Sequence, residues 1–236
     1  LYDGRHIYFA PLTSGLVLRY TVGGDFADPD SWQTFDAQPL GMHMNVGLVF
    51  DGRHVYFCAY GNSRMLRYDT EGPFDDPTGW QGYDAAGTRG LDTGGFDGGF
   101  FDGRYVYFNP RDDGHGHHTR LLRYDAHGDF GDPASWSAHD AEFPHSGQGL
   151  AFDGRYLYFC PGYTTAPDAD QNNPSASLDN EPSGQILRYD TQAPLKDAQS
   201  YQVFDARQLS PQATCFDGAL YDGRHIYFAP LTSGLV

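Results

Sequence analysis

The chain sets short apolar runs between fixed polar punctuation, and one phrase of this kind recurs five times, at residues 2–9, 50–57, 101–108, 152–159 and 221–228. Each copy reads apolar residue, Asp-Gly, Arg, then alternating aromatic and β-branched side chains. Period-two alternation is the mark of a half-buried strand, and Asp-Gly between two such runs predicts a hairpin with a two-residue turn of type I′. With the turn aspartates as markers (Asp3, Asp51, Asp102, Asp153, Asp222), the spacings are 48, 51, 51 and 69 residues. A period of that size means a repeat architecture.

The third copy shows the order within one period. Gly98-Gly99-Phe100-Phe101 predicts a first strand, residues 105–108 a second, Leu121-Leu122-Arg123-Tyr124-Asp125 a third and residues 136–140 a fourth. The third-strand triplet recurs as Leu18-Arg19-Tyr20, Leu66-Arg67-Tyr68 and Leu187-Arg188-Tyr189, and fourth strands recur at 32–36, 80–84 and 201–205. Four short antiparallel strands per period are the sequence form of a propeller blade. The expected fold is therefore all-β: one β-propeller domain over residues 1–236 with four four-stranded blades, in repeats near 1–49, 50–100, 101–151 and 152–219. Residues 220–236 copy residues 1–17 letter for letter, so five blades, or a segment of a longer propeller array with a 219-residue period, are the alternatives. Blades also match their next-but-one neighbour: Gly24-Asp25-Phe26-Ala27-Asp28-Pro29 answers Gly128-Asp129-Phe130-Gly131-Asp132-Pro133, and Phe57-Cys58 answers Phe159-Cys160. The unit of duplication reads as two blades, with approximate two-fold symmetry around the ring. Residues 162–184, rich in Pro, Asn, Ser and Asp, form one long insertion.

This succession of apolar strand, Asp-Gly, Tyr-Phe strand and Leu-Arg-Tyr-Asp is loosely similar to the four-bladed hemopexin-like domains over nearly the whole chain. The resemblance implies a central tunnel that holds ions, and binding of ligands or proteins more than catalysis. Two features depart from that family: the disulfide that ties first blade to last has no counterpart, and the Ser31-Trp32 and Ser135-Trp136 pairs are not part of its pattern.

Composition narrows the partners. Fifteen basic residues stand against 31 acids, a formal charge of −16, which repels nucleic acid and anionic membrane and favours cations or neutral ligands. Nine of the 15 basic residues hold repeat positions: Arg5, Arg53, Arg104, Arg155 and Arg224 after the turn, Arg19, Arg67, Arg123 and Arg188 in the third strand. They read as structural, paired with the repeated Asp residues or with backbone carbonyls. Cys58, Cys160 and Cys215 cannot make a disulfide framework, and no apolar run approaches the ~20 residues of a membrane span. With no initiator Met or signal peptide, the chain reads as a mature form or an excised fragment, and a single Lys with a high Gly and Pro content leans toward an extracellular or periplasmic protein.

Candidate chemistry gathers before the first strands, which line the axis of a propeller. With Gly47, Gly98, Gly149 and Gly218 in register, the position four before carries His43, Gly94, His145 and Thr214, and the position one before carries Val46, Asp97, Gln148 and Asp217. Alternate blades thus offer two His and two Asp at one mouth. Imidazole with carboxylate suits Zn²⁺ or Cu²⁺, while carboxylates with backbone carbonyls suit Ca²⁺. The plainer reading makes the aspartates turn caps and the histidines loop residues. Cys58 and Cys160 could join His43 and His145 in a Cys₂His₂ cluster, but free cysteines more often pack as small hydrophobes. Asp112-Asp113-Gly114-His115-Gly116-His117-His118 is the densest run of ligand residues and reads as a solvated loop. The Gly-Asp-Phe-x-Asp-Pro turns could hold Ca²⁺, though Asp before Pro is ordinary turn chemistry. Tyr60 and Tyr163, just beyond the two cysteines, are placed to stack on a sugar. No nucleophile signature, phosphate loop or dinucleotide fingerprint is present. The leading expectation is a non-enzymatic propeller binding a small molecule or glycan, with a divalent cation (Ca, Zn or Cu) at the tunnel mouth held by His43, His145, Asp97 and Asp217. The alternatives are a metal-dependent enzyme or glycoside hydrolase acting at that mouth, and a structural array assembling head to tail.

Overall fold

Each Asp-Gly phrase folds into a hairpin whose turn is held by the aspartate itself. Asp51 Oδ1 accepts the backbone N–H of Arg53 (2.8 Å) and His54 (2.6 Å), and its Oδ2 accepts the Tyr56 hydroxyl (2.6 Å). The same tyrosine-to-aspartate bond recurs at Asp3, Asp102, Asp153 and Asp222. Left-handed φ falls on the glycine (Gly52, 99°) and not on the aspartate, and the Asp51 N–H bonds the His54 carbonyl. The turn is therefore not the type I′ that the sequence predicts. The aspartate is its first corner, and glycine takes the first central position, as type II′ requires. The cause is the carboxylate, which captures two N–H groups only from the corner.

The computed structural model describes residues 1–113, 116–143, 147–164, 181–231 and 234. Strands follow the predicted order and pair antiparallel with their sequence neighbours. The first blade holds β1 (His6–Phe9), β2 (Leu16–Thr21) and β3 (Trp32–Asp36), and the second holds β4 (Asn45–Phe50), β5 (His54–Ala59), β6 (Arg64–Asp69) and β7 (Trp80–Asp84). The third is β8 (Phe96–Phe101), β9 (Tyr105–Pro110), β10 (Arg120–Asp125) and β11 (Trp136–Asp140). In the fourth, β12 (Gly147–Phe152) and β13 (Tyr156–Pro161) are separated from β16 (Gln185–Asp190) and β17 (Tyr201–Asp205) by the insertion, whose base is a short hairpin of β14 (Tyr163–Thr164) and β15 (Glu181–Pro182). A last hairpin, β18 (Phe216–Tyr221) with β19 (Ile226–Pro230), forms a two-stranded sheet of its own.

The repeated arginines have two jobs. Those after the turn reach the aspartate that ends the third strand: Arg53 to Asp69 (2.8 Å), Arg104 to Asp125 (2.8 Å) and Arg155 to Asp190 (2.7 Å). Those of the Leu-Arg-Tyr triplet do not take backbone carbonyls. Arg19 and Arg67 each bond a glutamine of the fourth strand (Gln33, Gln81) and then a tyrosine of the next blade, Tyr68 and Tyr124, at 3.0 Å. Before the fourth strand of each blade a short 3₁₀ segment is capped by its aspartate: Asp28, Asp76, Asp132 and Asp197 accept the N–H two residues on, the first three in Asp-Pro turns. These carboxylates therefore serve the turn, as the plainer reading expects.

Inner strands β4, β8, β12 and β18 pack in series. Each carries a register shift at the aligned glycine, and all four glycines have left-handed φ (Gly47 79°, Gly98 74°, Gly149 104°, Gly218 86°), the geometry of a glycine bulge. Alternation shows here in space. A Cβ on Gly47 would lie 2.4 Å from Gly98 Cα, and one on Gly149 would lie 2.7 Å from Gly218 Cα, whereas Gly98 and Gly218 face open space. Blades two and three thus close on each other as blade four closes on the last hairpin, the two-blade unit that the sequence implies.

Candidate functional site at the axial mouth

An antiparallel hairpin puts the start of its first strand beside the end of its second, so the ends away from the Asp-Gly turns form one rim. Across it, Asn45 faces Ala59, Phe96 faces Pro110, Gly147 faces Pro161 and Phe216 faces Pro230. The bulge pushes the residue before each glycine into the rim, which places Asp97, Gln148 and Asp217.

One residue of this rim is not foreseen from the sequence. Arg111, immediately after β9, donates from Nη1 to Asp97 Oδ2, and its guanidinium carbon lies 5.6 Å from the centre of the Tyr60 ring of the preceding blade. Burial raises the Asp97 carboxyl above its ordinary range, Arg111 opposes that rise, and the charge of Asp217 adds to it. The Tyr163 ring lies parallel to His117 (centroids 6.3 Å apart, 17° between planes). His117 Nδ1 is 3.6 Å from Asp112 Oδ2, and burial lowers its pKa, which favours a neutral ring. Cys215 adopts left-handed φ (54°) and points its thiol at Gln148 Oε1, 3.7 Å away. Tyr60, Asp97, Arg111, Tyr163 and Asp217 thus come from successive elements to one rim.

Of the other expected ligands, His43 is exposed, and His145 lies outside the described residues. Among the described residues no group of three or more His, Cys, Asp or Glu has metal-holding geometry. Cys58 and Cys160 are fully buried; burial pushes both thiols up, with Asp97 adding to the first and Asp217 to the second. The described residues of the 112–118 run are less solvated than the sequence suggests. His118 is buried with Nε2 2.7 Å from the Gly94 carbonyl, and Asp113 pairs with Arg120; His115 lies outside the described residues. Asn45 and Asn109, also at this rim, each keep a buried side-chain oxygen that has no donor among the described residues. A signal for Arg111 did exist: it is one of the few basic residues outside the repeat positions, standing where the second blade has Tyr60.

No family model and no curated protein sequence matches the chain. Solved structures do. The chain is similar to the WD40 β-propeller domain of Doa1 (TM-score 0.55, 10% identity, 97% of this chain and 60% of that one). It is similar also to the β-propeller domain of Cps50 (Swd1) from Myceliophteria thermophila (TM-score 0.54, 10% identity, 99% of this chain and 62% of that one). The chain therefore spans about three fifths of the length of either neighbour. Identity this low speaks for fold alone, and with the strand order above it makes the chain a β-propeller.

Proposed function

We propose that this propeller is a binding module that takes a neutral, hydroxyl-rich ligand, a glycan, at the axial mouth. The observation that carries the reading is Arg111 fixed between the Asp97 carboxylate and the Tyr60 ring. A guanidinium neutralised by a carboxylate presents donors and acceptors side by side without net charge, which suits hydroxyl groups rather than ions. Tyr60 and Tyr163 supply rings with an apolar face and a polar tip. The charge of −16 steers polyanions away.

Binding to immobilised neutral oligosaccharides, followed by titration calorimetry on the hits, tests the reading. Arg111→Ala and Tyr60→Ala are each expected to weaken binding by tenfold or more, with no change on adding EDTA. Undiminished binding by Arg111→Ala would move the site off the mouth. Loss of binding in EDTA would assign the mouth to a metal, and release of new reducing ends would make the protein a hydrolase.

A further inference from the structure

Beyond β9 the third blade sends two short arms, residues 111–113 and 116–118, into the mouth, where they pair with each other. Asp112 and His117 form an antiparallel bridge, and the His118 N–H bonds the Arg111 carbonyl (3.0 Å). Side chains alternate from face to face along an extended segment. Arg111 and His118 therefore project from one face of the pair, and Asp112 and His117 from the other. The arms are pinned where they stand. The Arg111 N–H bonds the Gly95 carbonyl (2.9 Å), His118 Nε2 lies 2.7 Å from the Gly94 carbonyl, and Asp113 pairs with Arg120. The Asp112 carbonyl sits so close over Gly95 that no side chain fits there, and Gly95 adopts left-handed φ (73°).

Each face meets a tyrosine of a different blade. On the first, Arg111 stands over Tyr60, which follows β5 of the second blade; on the second, His117 lies parallel to Tyr163, the first residue of β14 in the fourth. Both tyrosines are partly exposed. Cys215 and burial raise the pKa of the Tyr163 hydroxyl, and the charge of Arg111 opposes them. The guanidinium beside Tyr60 is thus felt at Tyr163 as well. The mouth therefore holds two aromatic rings on opposite sides of one fixed wall, each backed by a side chain of that wall.

We infer, resting on the reading of the mouth as a glycan site, that its ligand is a chain of at least two sugar units, one on Tyr60 and another on Tyr163, laid across the two arms. One sugar cannot serve both rings, because the arms occupy the space between them. A chain that reaches both makes its second contact within a complex already formed, so that contact adds affinity without a second loss of free motion. The wall is held in place before any ligand arrives, and binding therefore orders little of the protein. Burial lowers the pKa of His117 and favours its neutral ring, while Asp97 neutralises Arg111. Both platforms thus suit uncharged units of one kind, as a neutral oligosaccharide supplies.

Affinity as a function of ligand length tests it, by titration calorimetry with ladders of one to four units cut from cellulose, mannan and starch. On a ladder that binds, affinity is expected to rise by about tenfold or more from one unit to four. Tyr60→Ala and Tyr163→Ala should each flatten that rise, so that four units bind no better than one, and Tyr163→Phe, which keeps the ring, should restore it. Circular dichroism of each variant should match wild type. A single unit bound by wild type as tightly as four overturns the inference while the glycan reading stands, as does a rise that stays steep in Tyr163→Ala. If no ladder binds at any length, the glycan reading itself fails and the inference falls with it.

Discussion

The second and third blades are the same object at one end and different objects at the other. At the turn end they share their principal contacts: Asp51 with Tyr56 answers Asp102 with Tyr107, and Arg53 with Asp69 answers Arg104 with Asp125. At the mouth, Val46 becomes Asp97, Cys58 becomes Asn109 and Tyr60 becomes Arg111. The repeated half is what any blade needs in order to fold. The unrepeated half carries the ion pair, the raised carboxyl and the buried acceptors, so chemistry sits where the repeat is broken.

The largest test of that division concerns what the blades share. Trp80 and Trp136 are buried, each stacked on an aromatic of the preceding blade and each donating to a carbonyl six residues back (Phe74, Phe130). Trp80→Ala and Trp136→Ala are each expected to cost about 3–5 kcal/mol in urea unfolding. A cost confined to one of them would end the equivalence.

Next comes a position where the two blades share a residue but not a neighbour. Gly47→Ala must place a Cβ against Gly98 backbone in left-handed φ, whereas Gly98→Ala meets open space. Gly98→Ala should cost about 1–2 kcal/mol for the backbone conformation alone, and Gly47→Ala clearly more. Equal costs would mean that the inner strands can slide apart freely, contrary to their pairing by twos.

A pH profile separates the two ends by sign. Burial works against ionisation of Asp51, but donors from His54, Tyr56 and Arg53 outweigh it and hold its carboxyl well below the usual range. Asp97 moves the other way, raised first by burial. Unfolded, both should titrate near ~3.9. The stability from Asp51 is present above that value and is lost as pH falls through its depressed folded value. That from Asp97 is present below it and is lost as pH rises through its raised folded value. Across pH 2 to 7, the destabilisation by Asp51→Asn should grow with pH, and that by Asp97→Asn should shrink. Parallel profiles would contradict the assignment.

Arg111→Ala leaves the buried Asp97 carboxyl without its partner and should cost about 1–3 kcal/mol, and the same change should weaken ligand binding tenfold or more. A loss of stability with ligand binding unchanged would make Arg111 one more structural arginine.

The hairpins were legible in the sequence because their causes are local. Asp102, Gly103, Arg104 and Tyr107 act on one another within six residues, so alternation and a turn pair reveal them. The turn type was misread because the aspartate's use of two N–H groups, rather than the dipeptide alone, decides where positive φ falls. Contacts between blades were hidden: Arg19 and Tyr68 are 49 residues apart and Arg67 and Tyr124 are 57 apart, and nothing in a Leu-Arg-Tyr triplet says that its arginine serves the next triplet's tyrosine. At the mouth, register aligned Asp97 with Asp217 and set Tyr60 and Tyr163 just beyond the second strands. It could not show Arg111 against Asp97, since that pair depends on a bulge re-aiming one side chain.

The arginine that reaches into the following blade gives synthesis a direction. A blade's hydrogen-bonded sheet is complete within its own stretch of chain, but its arginine finds a tyrosine only when the next third strand has been made, some 49 residues later at the first junction. At about 5–20 residues per second, that interval is roughly 3–10 s for each blade. A nascent chain therefore grows with one bare face, always of the same chemistry: a guanidinium flanked by aromatic rings, moving outward from blade to blade and covered only by what is translated next.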